Sequence, residues 1–537
     1  MRRINYLIFL FILPVCLQAQ APQKTGVQFG ETIRMTMKNY FFNMEIIGRD
    51  ETGVYGIQMP AKEVYGGNTL GGIRNYQLAR YNNTSLDNPE LFELMLKDHD
   101  MERNYEFAAQ VGNQFYIFSS FQNRKLRKTF LFAETVNKKS LGLNNDLRKI
   151  AEVDWSDESR SDRANFGFRF SPDRSKLMIR YNLVNKESEV LRFGLCALDN
   201  NFQLLWQNDA PIPVKEGAIF NFRRFFIDNK GDVYLLGLLF KSEKDLAATN
   251  NLRKKSLLSS KRMVQREPNY VYQVISYTNK GKTIADFVVE EAGKFITDLN
   301  IGINGKQDII LTGFYADEAM VSVKGAFSMR IKKGSKTITD KIFHPFDKDF
   351  IVEGLEDKDA RDVLEGLAAG EEYDKYQYNM EDIQFHENGT FSMVAEQFVE
   401  ESKTVRNGSY VSTEYRYYDD NVIIVTFKPS GEVAWKRKIS KHQFTHSVSR
   451  GFASFALLEN SNKMYFVFNE FPEGKPQRAK AVMVQVGADG ALHREDLFTY
   501  EEKKIVQPLT FQRTATKEMC MFGLVGRNYT LARLTFN

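Results

Sequence analysis

From about residue 41 onward the chain alternates short apolar runs with short polar turns, and helical three-to-four-residue spacing is nearly absent. Phe170-Ser171-Pro172-Asp173 precedes Leu177-Met178-Ile179, Ile227-Asp228-Asn229-Lys230-Gly231 precedes Val233-Tyr234-Leu235-Leu236, and Phe385-His386-Glu387-Asn388-Gly389 precedes Phe391-Ser392-Met393-Val394. Pro, Asn, Asp and Gly occupy such turns because a hairpin needs preset or positive φ there. A second family of turns follows each of these by some tens of residues. It comprises Leu198-Asp199-Asn200-Asn201 leading to Trp206, Thr278-Asn279-Lys280-Gly281, Phe427-Lys428-Pro429-Ser430-Gly431 leading to Trp435, and Ala488-Asp489-Gly490.

Together these define one recurring unit: strand, tight turn, strand, variable loop, strand, tight turn, strand. The units begin near residues 41, 103, 165, 222, 296, 379, 449 and 506, a mean spacing of about 65 residues. Four-stranded units repeated in this way predict an all-β chain folded as a single β-propeller of eight blades, with seven as the alternative if one unit is misread. The last unit has only three strands, ending in Tyr529-Thr530-Leu531-Ala532-Arg533-Leu534, while a strand-like segment from Val27 to Met37 belongs to no unit. That segment is expected to supply the missing outer strand and close the ring, leaving no long exposed edge.

The segment Phe170-Ser171-Pro172-Asp173-Arg174-Ser175-Lys176-Leu177 resembles the WD40-like repeats of TolB-type propellers. The stretches Ala197-Leu198-Asp199 to Trp206 and Phe427-Lys428-Pro429-Ser430-Gly431 to Trp435 are similar to the outer hairpins of quinoprotein-like (BamB-like) propellers. The resemblance implies an architecture and no particular activity. No residues match a quinone site, so no cofactor is expected.

Ahead of the first unit, Arg2 and Arg3, an apolar run from Tyr6 to Leu17, and the small residues Ala19 and Ala21 have the layout of a secretory signal peptide over residues 1–19. The run is too short to span a bilayer as a helix, and no later stretch is apolar enough to do so. The expectation is an exported protein, periplasmic, outer-membrane-associated or secreted, with residues 20–537 forming the propeller. A lipoprotein attached through Cys16, which follows Leu13-Pro14-Val15, is the alternative. Cys196 and Cys520 then remain, both in apolar runs, and read as buried thiols. Net charge is +5, with 73 basic and 68 acidic side chains, which gives no support to a nucleic-acid partner.

Antiparallel order puts the loops between second and third strands, and those between blades, on one face of the disc. The long insertions at 241–269, 344–377 and 399–420 all belong to that set. The first is basic, with Arg253, Lys254 and Lys255 as candidate contacts. The second is acidic, and Ala360, Val363, Leu364 and Leu367 predict a short amphipathic helix beginning near Asp357 or Asp359. The third sets Tyr410, Tyr415, Tyr417 and Tyr418 beside Asp419 and Asp420, a mixture suited to protein or sugar recognition. The plain alternatives are solvated charge runs that offset one another, and half-buried strand packing of Tyr415 and Tyr417.

Catalytic signatures are missing from the sequence: no Gly-x-Ser-x-Gly elbow, phosphate loop or dinucleotide fingerprint occurs. His442 and His446 lack the Glu that a zinc-protease helix requires, and Asp98, His99 and Asp100 read as a polar turn, so neither a catalytic residue nor a metal ligand is assigned. The expected function is a non-catalytic scaffold binding an envelope protein or peptide. The alternative is a glycan-binding module or carbohydrate-active enzyme with central carboxylates, which sequence spacing cannot exclude.

Overall fold

The computed structural model describes residues 25–33, 44–59, 75–87, 89–98, 101–155, 166–183, 192–209, 212, 218–240, 244, 269–317, 323–355, 357–369, 377–407, 410–446, 451–471 and 479–536. Eight antiparallel sheets follow one another along the chain as the blades of a propeller. Their inner strands are Met44–Asp50, Asn104–Val111, Phe166–Phe170, Ile219–Ile227, Lys294–Ile303, Gln377–Met380 continued by Gln384–Phe385, Ala456–Asn460, and Lys504–Val506 continued by Gln512–Ala515. These starts track the sequence-derived unit boundaries closely, and blade 8 takes its fourth strand from Gly26–Phe29. Gly26 lies opposite Thr535 and Phe29 opposite Ala532, so the first described strand and the last are one ladder.

Burial explains why the ring closes. Eight clusters of buried apolar side chains occur among the described residues, one at each blade interface. The cluster of Met44, Val54 and Tyr81 with Cys520, Phe522 and Leu531 joins blade 1 to blade 8. An open sheet would leave two such faces wet, each burying several large side chains worth about 1.5–3 kcal/mol apiece.

The two tryptophans singled out in the sequence act between blades. Trp206, on the outer strand of blade 3, donates its indole N–H to the Gly231 carbonyl at 2.8 Å and packs against Gly281, both in blade 4. Trp435, on the outer strand of blade 6, donates to Ala488 O at 2.9 Å and packs against Gly490 in blade 7. Gly281 and Gly490 have φ of +71° and +79°, and a Cβ at either would collide with the indole. Turn chemistry and inter-blade packing therefore select the same glycines.

The inserts depart from the loop reading in one respect. Residues 399–407 and 410–420 form strands: Phe391–Asn407 and Tyr410–Phe427 pair from Phe391↔Phe427 to Asn407↔Tyr410 as one long hairpin. Of insert 344–377, residues Lys348–Val352 form helix α1 and Asp357–Ala368 form helix α2, the amphipathic helix predicted there. Insert 241–269 lies almost entirely outside the described residues.

Candidate functional site

Two places gather polar side chains in a way that packing alone does not require: the waist of the central channel, and a sheet that projects from blade 6.

At the waist, the inner strand of blade 6 is interrupted between Met380 and Gln384, and Glu381, Asp382 and Ile383 fill the gap. Three blades hold this segment. Asn300 of blade 5 donates to the Glu381 carbonyl, and Arg224 of blade 4 donates to the Met380 carbonyl. Arg169 of blade 3 is ion-paired with Asp382 Oδ2, while Arg224 Nη1 lies 3.8 Å from Asp382 Oδ1. The Arg169 guanidinium is oriented by the ring of Phe226, 5.0 Å from its centroid. The next carboxyl, Glu381, is exposed, yet enclosure by the walls and the neighbouring Asp382 charge push its pKa up. On blade 1, burial likewise raises the carboxyl of Glu45, whose side chain also touches solvent.

The projecting sheet is rooted in a bulge. Pairing shifts between Glu396 and Phe398, beyond which the hairpin runs past the blade and gains a third strand, Gln443–His446. Alternate residues face opposite sides. On one side Phe398, Tyr417 and Tyr415 form a ladder with centroids 6.4 and 6.5 Å apart. On the other, Tyr418, Phe444 and His446 are spaced 5.1 and 4.9 Å apart. Tyr415 and Phe444 are 40% and 38% exposed, so neither side of the projection is covered at these rings.

Beneath it lies a charged core. Lys441 Nζ is ion-paired with Glu396 Oε1 at 2.7 Å and donates to Asp419 O at 2.8 Å and Gln443 Oε1 at 2.9 Å. Ser454 Oγ donates to Glu396 Oε2 at 2.8 Å, and Gln443 Nε2 to Asn469 O at 2.7 Å. Asn469 in turn exchanges hydrogen bonds with both backbone groups of Val506, so the network ties blades 6, 7 and 8 together. Burial keeps the Glu396 carboxyl above its ordinary value despite Lys441.

The sequence-derived contact residues divide accordingly. Tyr415, Tyr417 and Tyr418 stand on the projection, and Tyr410 lies at its end opposite Asn407. Asp419 was expected on the surface but is fully buried, because its residue forms the root of the projection and not a loop. Arg253, Lys254 and Lys255 lie outside the described residues. His442 pairs with Asp420 at 2.5 Å, and His446 extends along a strand away from it. Asp98 ends a two-residue strand, while His99 and Asp100 are outside the described residues. No group of three or more His, Cys, Asp or Glu side chains among the described residues is arranged to hold a metal ion. Sequence reading missed Arg169, Arg224 and Asp382, which are far apart along the chain, and Phe444, whose alternation with His446 was the available signal.

A recess of about 440 Å³ opens between blades 2 and 3, lined by Glu152, Asp154, Tyr181, Gln207 and Asp209. Its groups already serve one another. Tyr181 donates to Asp209 at 2.5 Å and accepts from Gln207 at 2.7 Å, and Lys128 pairs with both Glu152 and Asp154.

No family model matches the chain. No curated protein matches it either. Among solved structures, the chain is similar to polysaccharide lyase Uly1, at 11% identity over 95% of this chain and 99% of that one, with a TM-score of 0.34. It is similar to the β-propeller domain of the Trilobed protease from Pyrococcus furiosus, at 10% identity over 82% and 94%, with a TM-score of 0.32. The WD40 domain of SCAP from fission yeast gives 9% identity over 95% and 98%, with a TM-score of 0.31. These neighbours include WD40 and β-propeller domains; the chain's own strand order makes it an eight-bladed propeller.

Proposed function

We propose that this chain is an exported, non-catalytic propeller that docks an envelope protein or peptide on its insert-bearing face. The observation that carries the reading is the three-stranded projection of blade 6, which offers aromatic rings on both sides and is anchored by a buried ion pair at its root. Exposed aromatics on a rigid support contribute contact area at little ordering cost, the property expected of an interface centre. Export rests on the Arg2-Arg3 start, the apolar run and Ala19.

The test is photo-cross-linking from Tyr415 and Phe444 in native cells, with Lys306 on the opposite face as the control position. The reading expects one and the same envelope protein from both aromatic positions, none from Lys306, and loss of capture when the other ring is changed to Ser. Identical capture from all three positions, or none from a folded and exported protein, overturns it.

A second reading is favoured by Glu381 and Glu45: a glycan-binding or carbohydrate-active channel, in which carboxyls that burial raises above the ordinary carboxylate range meet a sugar. A glycan panel scored for binding and turnover, with Glu381→Gln beside the wild type, tests it. A silent panel removes this reading.

A further inference from the structure

Asp382 is held in an arrangement that a structural ion pair does not need. Its two carboxylate oxygens face two different guanidiniums, Arg169 on Oδ2 and Arg224 on Oδ1, contributed by adjacent blades. The backbone around it is fixed independently, by Arg224 on the Met380 carbonyl and Asn300 on the Glu381 carbonyl. The carboxylate therefore holds up nothing that these bonds do not already hold. All three side chains are partly open to solvent, 34% for Arg169, 36% for Arg224 and 49% for Asp382, and exposed pairs of this kind contribute little to stability. Displacing Asp382 from the guanidiniums is accordingly cheap, while the guanidiniums themselves stay in place: Arg169 lies on the Phe226 ring and Arg224 is bonded to Met380 O.

Two arginines set to take the two oxygens of one carboxylate form a recognition element for that group, since the guanidinium matches carboxylate geometry where an ammonium does not. We propose that the waist of the central channel is a carboxylate-binding site whose occupant in this structure is the protein's own Asp382. A ligand carboxylate entering the channel takes the Arg169 and Arg224 contacts, and Asp382 rotates away into solvent. The link between blade 3 and blade 6 is exchanged for a link through the ligand. The tethered side chain competes at an effective concentration of about a millimolar or more, so the wild-type chain binds weakly and selectively. This inference depends on neither reading above: a protein scaffold can carry such a site, and so can a sugar channel.

The carboxylate can come from a polypeptide C-terminus or from a sugar acid. The experiment uses calorimetric titration of the folded chain of residues 20–537 with two matched pairs of probes, a short peptide acid against its amide and glucuronate against glucose. The variants are Asp382→Ala, Asp382→Asn, and each of these combined with Arg169→Gln. Asp382→Asn keeps the shape, so the proposal stays testable if the alanine variant does not fold. Removing the internal competitor is expected to tighten binding of the acid probes at least tenfold, with the neutral partners unaffected and the gain abolished by Arg169→Gln. A tighter peptide acid assigns a chain terminus, a tighter glucuronate assigns a sugar acid, and equal gains show that the carboxylate alone is read. Unchanged affinity in a folded Asp382 variant, or a gain that survives Arg169→Gln, overturns the proposal.

Discussion

Lys441 Nζ lies 2.7 Å from Glu396 Oε1, and both side chains are shut off from solvent. Breaking such a pair by removing one member leaves an uncompensated buried charge and costs about 3–5 kcal/mol. Lys441→Met is therefore expected to lower stability by that amount in denaturant unfolding. The double variant Lys441→Met with Glu396→Gln should recover part of the loss, because the orphaned charge goes with its partner.

Glu381 gives a pH signature of opposite sense to ordinary acid denaturation. Its folded carboxyl is raised above the usual value of 4.5. Between that value and the raised one, the folded chain holds a proton that the unfolded chain has released, so this group's contribution to stability falls as pH rises through the window. Glu381→Gln removes the penalty. Melting curves should show the variant gaining on the wild type above about pH 4.5, with the difference vanishing below it.

Burial pushes the thiols of Cys196 and Cys520 up to about 12 and about 11. With little thiolate and no access, neither should alkylate in the native state at mildly alkaline pH, and both should do so in denaturant, as peptide mass spectrometry will read. Native labelling at either position would show that its blade interface opens.

The Gly26–Phe29 ladder to blade 8 makes a fourth expectation. Gln28→Pro, on the side of the strand that shares the Gly30 N–H to Leu531 O register, removes a ladder donor and should cost about 1–3 kcal/mol by denaturant unfolding. It should also open the interface between blades 1 and 8 to protease before any other.

The blades were legible because their turns are chemically explicit. Asp228 to Gly231 and Lys428 to Gly431 carry the residues a tight hairpin demands, and the apolar runs between them have strand length. The projection on blade 6 was not legible, since both of its sides meet water and residues 399–407 show no apolar alternation. Asp419 misled for a related reason: a carboxylate beside tyrosines reads as surface, and only the fold reveals that Lys441, in the link ahead of strand Gln443–His446, donates to the Asp419 carbonyl. The waist was unreadable in principle. Arg169 and Asp382 are separated by 213 positions, and their meeting depends on how the ring curves.

The pairing of residue 26 with residue 535 also sets a clock. At about 5–20 residues per second, roughly half a minute to two minutes of synthesis separates these two positions. Through that interval blade 8 lacks a complete sheet and blade 1 lacks its neighbour. The chain can collapse blade by blade, but the circle cannot shut until its far end has emerged.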